Sequence, residues 1–119
     1  MAGLDEKRRY HRFMALLEVR VLPGEKIPAD LKLATIDIAA GGARCASNRP
    51  LEHNVRLQMT FTLVGGDLRQ PAQVDAEAVV LRCTEVPSAP EPRRYQVALE
   101  FVRMEPQDRA RLVGYLNSL

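Results

Sequence analysis

Residues 55–63 read Val-Arg-Leu-Gln-Met-Thr-Phe-Thr-Leu, with an apolar side chain at every odd number and a polar one at every even number. Successive side chains of an extended chain point to opposite faces, so a strict period of two makes one face dry and the other wet. The segment is predicted as a half-buried strand. The same alternation runs through Tyr95, Val97, Leu99 and Phe101, with Gln96, Ala98 and Glu100 between them, and predicts a second. Between the two, residues 72–83 have the length and β-branched content of a third. The turn chemistry of Gly65, Gly66 and Asp67 would pair it with 55–63 as a hairpin.

Upstream, residues 13–22 form another apolar, β-branched run that ends at Pro23-Gly24. Residues 31–38 follow as a strand, Gly41-Gly42 breaks the run, and 43–47 turn back. Residues 87–94 hold three prolines and no apolar pattern, which reads as an exposed loop. After Met104 the period changes. Pro106 suits a first helical turn, and Leu112, Tyr115, Leu116 and Leu119 then recur at spacings of three and four. The fold class is therefore mainly β: a small six-stranded antiparallel β-barrel with a C-terminal α-helix at about 106–119. Closure into a barrel removes the exposed strand edges that invite aggregation. Residues 13–119 make one barrel domain, preceded by a basic segment, 1–12, whose repelling charges and lack of periodicity predict flexibility.

Composition narrows the function. The chain has 119 residues, 46% hydrophobic and 27% charged, with a formal charge of +2, the profile of one packed domain. Nothing approaches the roughly 20 continuous apolar residues of a membrane helix, so no membrane insertion is expected. The charged N-terminus lacks the apolar core of a secretory signal, and the expected location is the cytoplasm. Cys45 and Cys83 stand far apart without metal-ligand spacing, which predicts small core residues and no metal. Asp75, Glu77, Glu100, His11 and His53 form no evident catalytic set. The chain is expected not to be an enzyme and to need no cofactor. A single-stranded nucleic-acid-binding barrel would need exposed aromatic platforms. Phe61, Tyr95 and Phe101 sit instead on apolar strand faces, so no nucleic acid is expected as a partner.

Positive charge is concentrated at Lys7, Arg8, Arg9, His11 and Arg12, and this run contains Arg-x-x-x-Arg at Arg8 and Arg12. A second pattern, Asp37-Ile38-Ala39-Ala40-Gly41-Gly42, closes the second predicted strand. Taken together, in this order, the two resemble the paired motifs of the PilZ family, R-x-x-x-R ahead of the first strand and [D/N]-x-S-x-x-G after the second. The last strand and the leucine-bearing helix are also similar to that family's. The resemblance implies a non-catalytic receptor domain that binds the second messenger cyclic di-GMP and relays it to a protein partner. It implies ligand contacts at Arg8, Arg12, Asp37, Ala39 and Gly42, with Lys7 and Arg9 beside them. Ala39 stands where the family has serine, and lacks that hydroxyl.

The residue types suit this ligand. Arginine's planar fork donates to phosphate oxygens or to guanine O6 and N7, and its flat face stacks on a base. A carboxylate such as Asp37 accepts from guanine N1–H and N2–H, and a glycine at position 42 lets a ligand approach the backbone. In an extended chain Arg8 and Arg12 would share a face about 13 Å apart; the resemblance implies a bend that brings both onto one ligand. In the family, the position before the arginine pair is linked to ligand number. The positive charge of Lys7 can offset phosphate repulsion, so two ligands per protein are expected. A ligand-free module acting through proteins alone is the alternative that Ala39 favours.

Overall fold

The computed structural model describes residues 13–91 and 93–119. The predicted basic segment, with Lys7, Arg8, Arg9 and Arg12, lies outside the described residues. The elements in chain order are β1 (Phe13–Met14), β2 (Glu18–Val21), β3 (Leu33–Ala39), β4 (Gly42–Ser47), β5 (Arg56–Leu63), β6 (Ala72–Glu85), β7 (Tyr95–Arg103) and α1 (Pro106–Asn117). Every pairing is antiparallel. The sheet runs β3-β2-β5-β6-β7-β4, and pairing of β4 back onto β3 closes it into a six-stranded barrel, with β1 as the extra strand on β3.

The alternation of β5 is expressed as expected. Leu57, Met59, Phe61 and Leu63 are buried, while Thr60 on the wet face donates to Asp75 Oδ1 of β6 at 2.6 Å. Phe61 meets Phe101 of β7 edge to face, with ring centroids 5.5 Å apart. This geometry adds roughly 0.5–1.5 kcal/mol to simple burial. β6 and β7 run further than the periodicity indicated, to Glu85 and Arg103, because two bulges carry the ladder onward. Their register slips between Glu77 and Ala78 and again between Val80 and Arg82. Leu81 and Val102 are the skipped residues and stand exposed. Such bulges bend and twist strands, which closure of a small barrel requires.

The single strand expected at 13–22 is two strands, and Thr35 is the reason. Its buried hydroxyl accepts from Leu17 N–H at 2.7 Å and donates to the carbonyl of Ala15. The hydroxyl is inserted into a ladder that continues around it, with Ala15 N–H donating to the Ile36 carbonyl at 3.3 Å and Thr35 N–H to the Leu17 carbonyl at 3.2 Å. Thr35→Val keeps the shape but leaves a buried N–H and a carbonyl unmatched, so the protein should lose about 2 kcal/mol of stability. Urea unfolding of the variant measures this, and an unchanged midpoint would show that the hydroxyl is dispensable.

Helix α1 covers one end of the barrel with Leu112, Tyr115 and Leu116, all buried. The Tyr115 hydroxyl donates to the Val64 carbonyl at 2.8 Å. Leu119, expected on the same stripe, lies beyond the helix and is half exposed. Cys45 is a core residue, and burial, with the negative charge of Asp37 nearby, pushes its thiol up to about 12. Val97 of β7 pairs with Cys45 on one side and Cys83 on the other. Two strand spacings, about 9–10 Å, therefore separate the cysteines, beyond disulfide reach. Among the described residues, no helix is long and apolar enough to cross a membrane, and no cluster of His, Cys, Asp and Glu is arranged to hold a metal ion.

Candidate functional site

The second motif occupies the β3–β4 hairpin, and its geometry depends on one extra residue. Leu33, Ala34 and Thr35 pair with Ser47, Ala46 and Cys45, whereas Asp37, Ile38 and Ala39 pair with Arg44, Ala43 and Gly42. Ile36 is the residue that the register skips. Leu33 and Thr35 point into the barrel and are buried, so plain alternation would send Asp37 inward too. The bulge reverses the phase. Ile38 takes the core position, with no exposed surface, and Asp37 turns to the outer face.

There it meets Arg44, its cross-strand partner. Arg44 Nε and Nη2 both donate to Asp37 Oδ2, at 2.9 and 2.5 Å. The two side chains differ in exposure, 43% for Arg44 and 4% for Asp37. A desolvated carboxylate thus faces a guanidinium that reaches into solvent. The nearest neighbours on this outer face are small, with Gln96 of β7 and Arg82 of β6 one position further out. Ala98 of β7 follows Arg44 in the same row, and Ala34 and Ala46 form the next. Beyond them opens a groove of about 220 Å³ walled by Ile36, Val86, Pro90, Arg93 and Tyr95.

Ala39 is buried and pairs with Gly42 across the two-residue turn Ala40-Gly41. The turn is tied down from two sides. Phe101 N–H donates to the Gly41 carbonyl at 2.9 Å, and Arg109 of α1 donates to the Ala40 carbonyl at 3.2 Å. Gly42 has a packing reason of its own. A Cβ there would overlap the Leu99 carbonyl oxygen and lie 3.3 Å from Glu100 Cα, because β7 presses directly against this strand.

Of the expected ligand contacts, the structure thus brings Asp37, Ala39 and Gly42 together on one hairpin. Arg8, Arg12, Lys7 and Arg9 lie outside the described residues. The chain nevertheless enters the barrel beside the motif, since Phe13 pairs with Ile38 and Met14 with Asp37. Arg44 escaped the sequence reading. With the turn set at Ala40-Gly41, residues 37 and 44 must face each other, whereas the glycine pair Gly41-Gly42 marks a break one residue later in the sequence. Phe61 and Phe101 lie in the expected core, whereas Tyr95 is half-buried, stays outside the core cluster and walls the surface groove, because it stands at the very start of β7.

The model of the PilZ domain family matches residues 6–118, from before Arg8 to the end of α1. The chain belongs to the PilZ domain family. Among solved structures, this PilZ domain is similar to the Bacillus subtilis inhibitor of motility (MotI/DgrA), with a TM-score of 0.70 and 25% identity over 91% of this chain and 48% of that one. The chain thus spans about half the length of that protein. The comparison with curated proteins gives no match. PilZ domains form a family of cyclic di-GMP-binding effectors.

Proposed function

We propose that this PilZ domain is a non-catalytic receptor for cyclic di-GMP, held by Arg8 and Arg12 together with the β3–β4 hairpin at Asp37, Ala39 and Gly42. The register of β1 carries the reading. Arg12 immediately precedes Phe13, and β1 lies against the part of β3 that bears Asp37. Consecutive Cα atoms are 3.8 Å apart, so the arginine run and the hairpin are within reach of one small ligand. Arginine supplies phosphate and base contacts that lysine could supply only in part, and Asp37 suits the donor edge of guanine. Lys7 and Arg9 add positive potential for a stacked pair of ligands.

The output is a change of surface offered to a protein partner. Ligand phosphates neutralise the basic run and pin it against the hairpin, and charge-assisted contacts offset the ordering cost of roughly 1–2 kcal/mol per residue. The similar structure is that of an inhibitor of motility, and a protein target in motility control is compatible with this reading. The expected location is the cytoplasm, where a soluble messenger is available. A ligand-free interaction module is the rival that Ala39 favours.

Thermal unfolding tests the choice. A ligand at a hundred times its Kd adds about 2.7 kcal/mol to the folded state. For a domain of this size each kcal/mol moves Tm by about 4–8 °C, so cyclic di-GMP should raise Tm by roughly 10 °C or more. Cyclic di-AMP lacks the guanine N1–H and N2–H donors and should do far less. An unmoved Tm with both nucleotides at millimolar concentration would leave the ligand-free module standing.

A further inference from the structure

We infer that Arg44 is a positioning residue for guanine recognition, acting through Asp37; the inference rests on the cyclic di-GMP reading above. An exposed ion pair contributes little. This one is not of that kind, because only 4% of the Asp37 side chain is exposed. A carboxylate taken so far out of water depends on the charge that compensates it. Both donors of Arg44 converge on a single oxygen, Oδ2, which fixes the rotation of the carboxylate as well as its charge. That rotation matters to a guanine. N1–H and N2–H are parallel donors in one plane, and a carboxylate meets them only when held within about 10–20° of coplanarity.

The fold supports Arg44 in this role from both sides. Ala43 and Cys45, its chain neighbours, are locked in the core with no exposed surface, so the backbone under Arg44 is fixed. The bulge at Ile36 sets Asp37 directly opposite it. Lysine at this position would keep the charge and lose the two-point hold.

Cyclic di-GMP titrations of the wild type, R44A, R44K, D37A and the R44A/D37A double variant test this, with circular dichroism and Tm recorded for each. R44A should bind roughly tenfold more weakly than the wild type, and its preference for cyclic di-GMP over cyclic di-AMP should fall toward that of D37A. R44K should recover less than half of the loss on a logarithmic scale. In the D37A background, removing Arg44 should cost less than about twofold, the signature of two residues acting as one unit. If R44A does not fold, R44K and its nucleotide preference carry the test alone. An R44K variant indistinguishable from the wild type, an unaffected R44A, or a full tenfold loss on top of D37A would each overturn the inference. Absence of wild-type binding would instead refute the receptor reading, and the inference with it.

Discussion

Replacing Arg8 with alanine is expected to weaken cyclic di-GMP binding roughly tenfold or more, and replacing Arg12 to do the same. A hydrogen bond to a charged group contributes about 1.5–3 kcal/mol, and every 1.4 kcal/mol is tenfold in Kd. Each arginine is assigned at least one such bond, to a phosphate oxygen or a guanine edge. The double variant should lose on the order of a hundredfold, provided the two contacts are independent. Arg9→Ala serves as the internal control. It lies in the same basic run but outside the Arg-x-x-x-Arg spacing, so it should cost only the general attraction of one positive charge, which rising salt screens away. Equal losses for Arg8, Arg9 and Arg12 would reduce the site to net charge and remove the motif from the account.

Gly42→Ala is expected to destabilise the barrel by about 3 kcal/mol, the upper end of what overpacking costs. The added methyl would strike backbone, the Leu99 carbonyl and Glu100 Cα, and backbone cannot swing aside as a long side chain can. Gly42 is paired on both edges, with Ala39 on β3 and Glu100 on β7. A shift that relieves the clash would therefore disturb two ladders and the barrel closure. Urea unfolding measures the loss. Below the transition, the folded fraction should still bind cyclic di-GMP within a few-fold of the wild type if packing is the glycine's main task. A variant of normal stability that no longer binds would assign Gly42 to ligand approach instead.

Much of this architecture was legible because water and core impose the period directly. Residues 55–63 and 95–101 each have one face in the core, so their alternation reports the structure. The helix showed itself by the change of period after Met104 and by Pro106. Interruptions were not legible. A bulge such as that at Ile36, or those skipping Leu81 and Val102, is one extra residue whose apolar character looks like any other strand position. The break between β1 and β2 was hidden for a similar reason. Thr35 is an ordinary strand residue by propensity, and only the fold shows its hydroxyl inserted into the ladder.

The candidate site divides in the same way. Asp37, Ala39 and Gly42 were found by motif order, which needs no geometry. Arg44 was not, because its value comes from facing Asp37 across a turn whose position decides the partner. Had Gly41-Gly42 been the turn, a different residue would oppose Asp37. Likewise Gly42 carries two possible reasons for being glycine, and only the proximity of β7 reveals the packing one.

Calorimetric titration of the purified chain with cyclic di-GMP tests the central claim most directly, since it reads affinity and ligand number together. The account predicts saturable binding in the micromolar range or tighter, about −8 kcal/mol or more favourable, with two ligands per chain and weakening as salt is raised. A fitted stoichiometry of one would remove the role given to Lys7 and leave the receptor intact. No heat and no saturation at high ligand concentration would contradict the receptor itself.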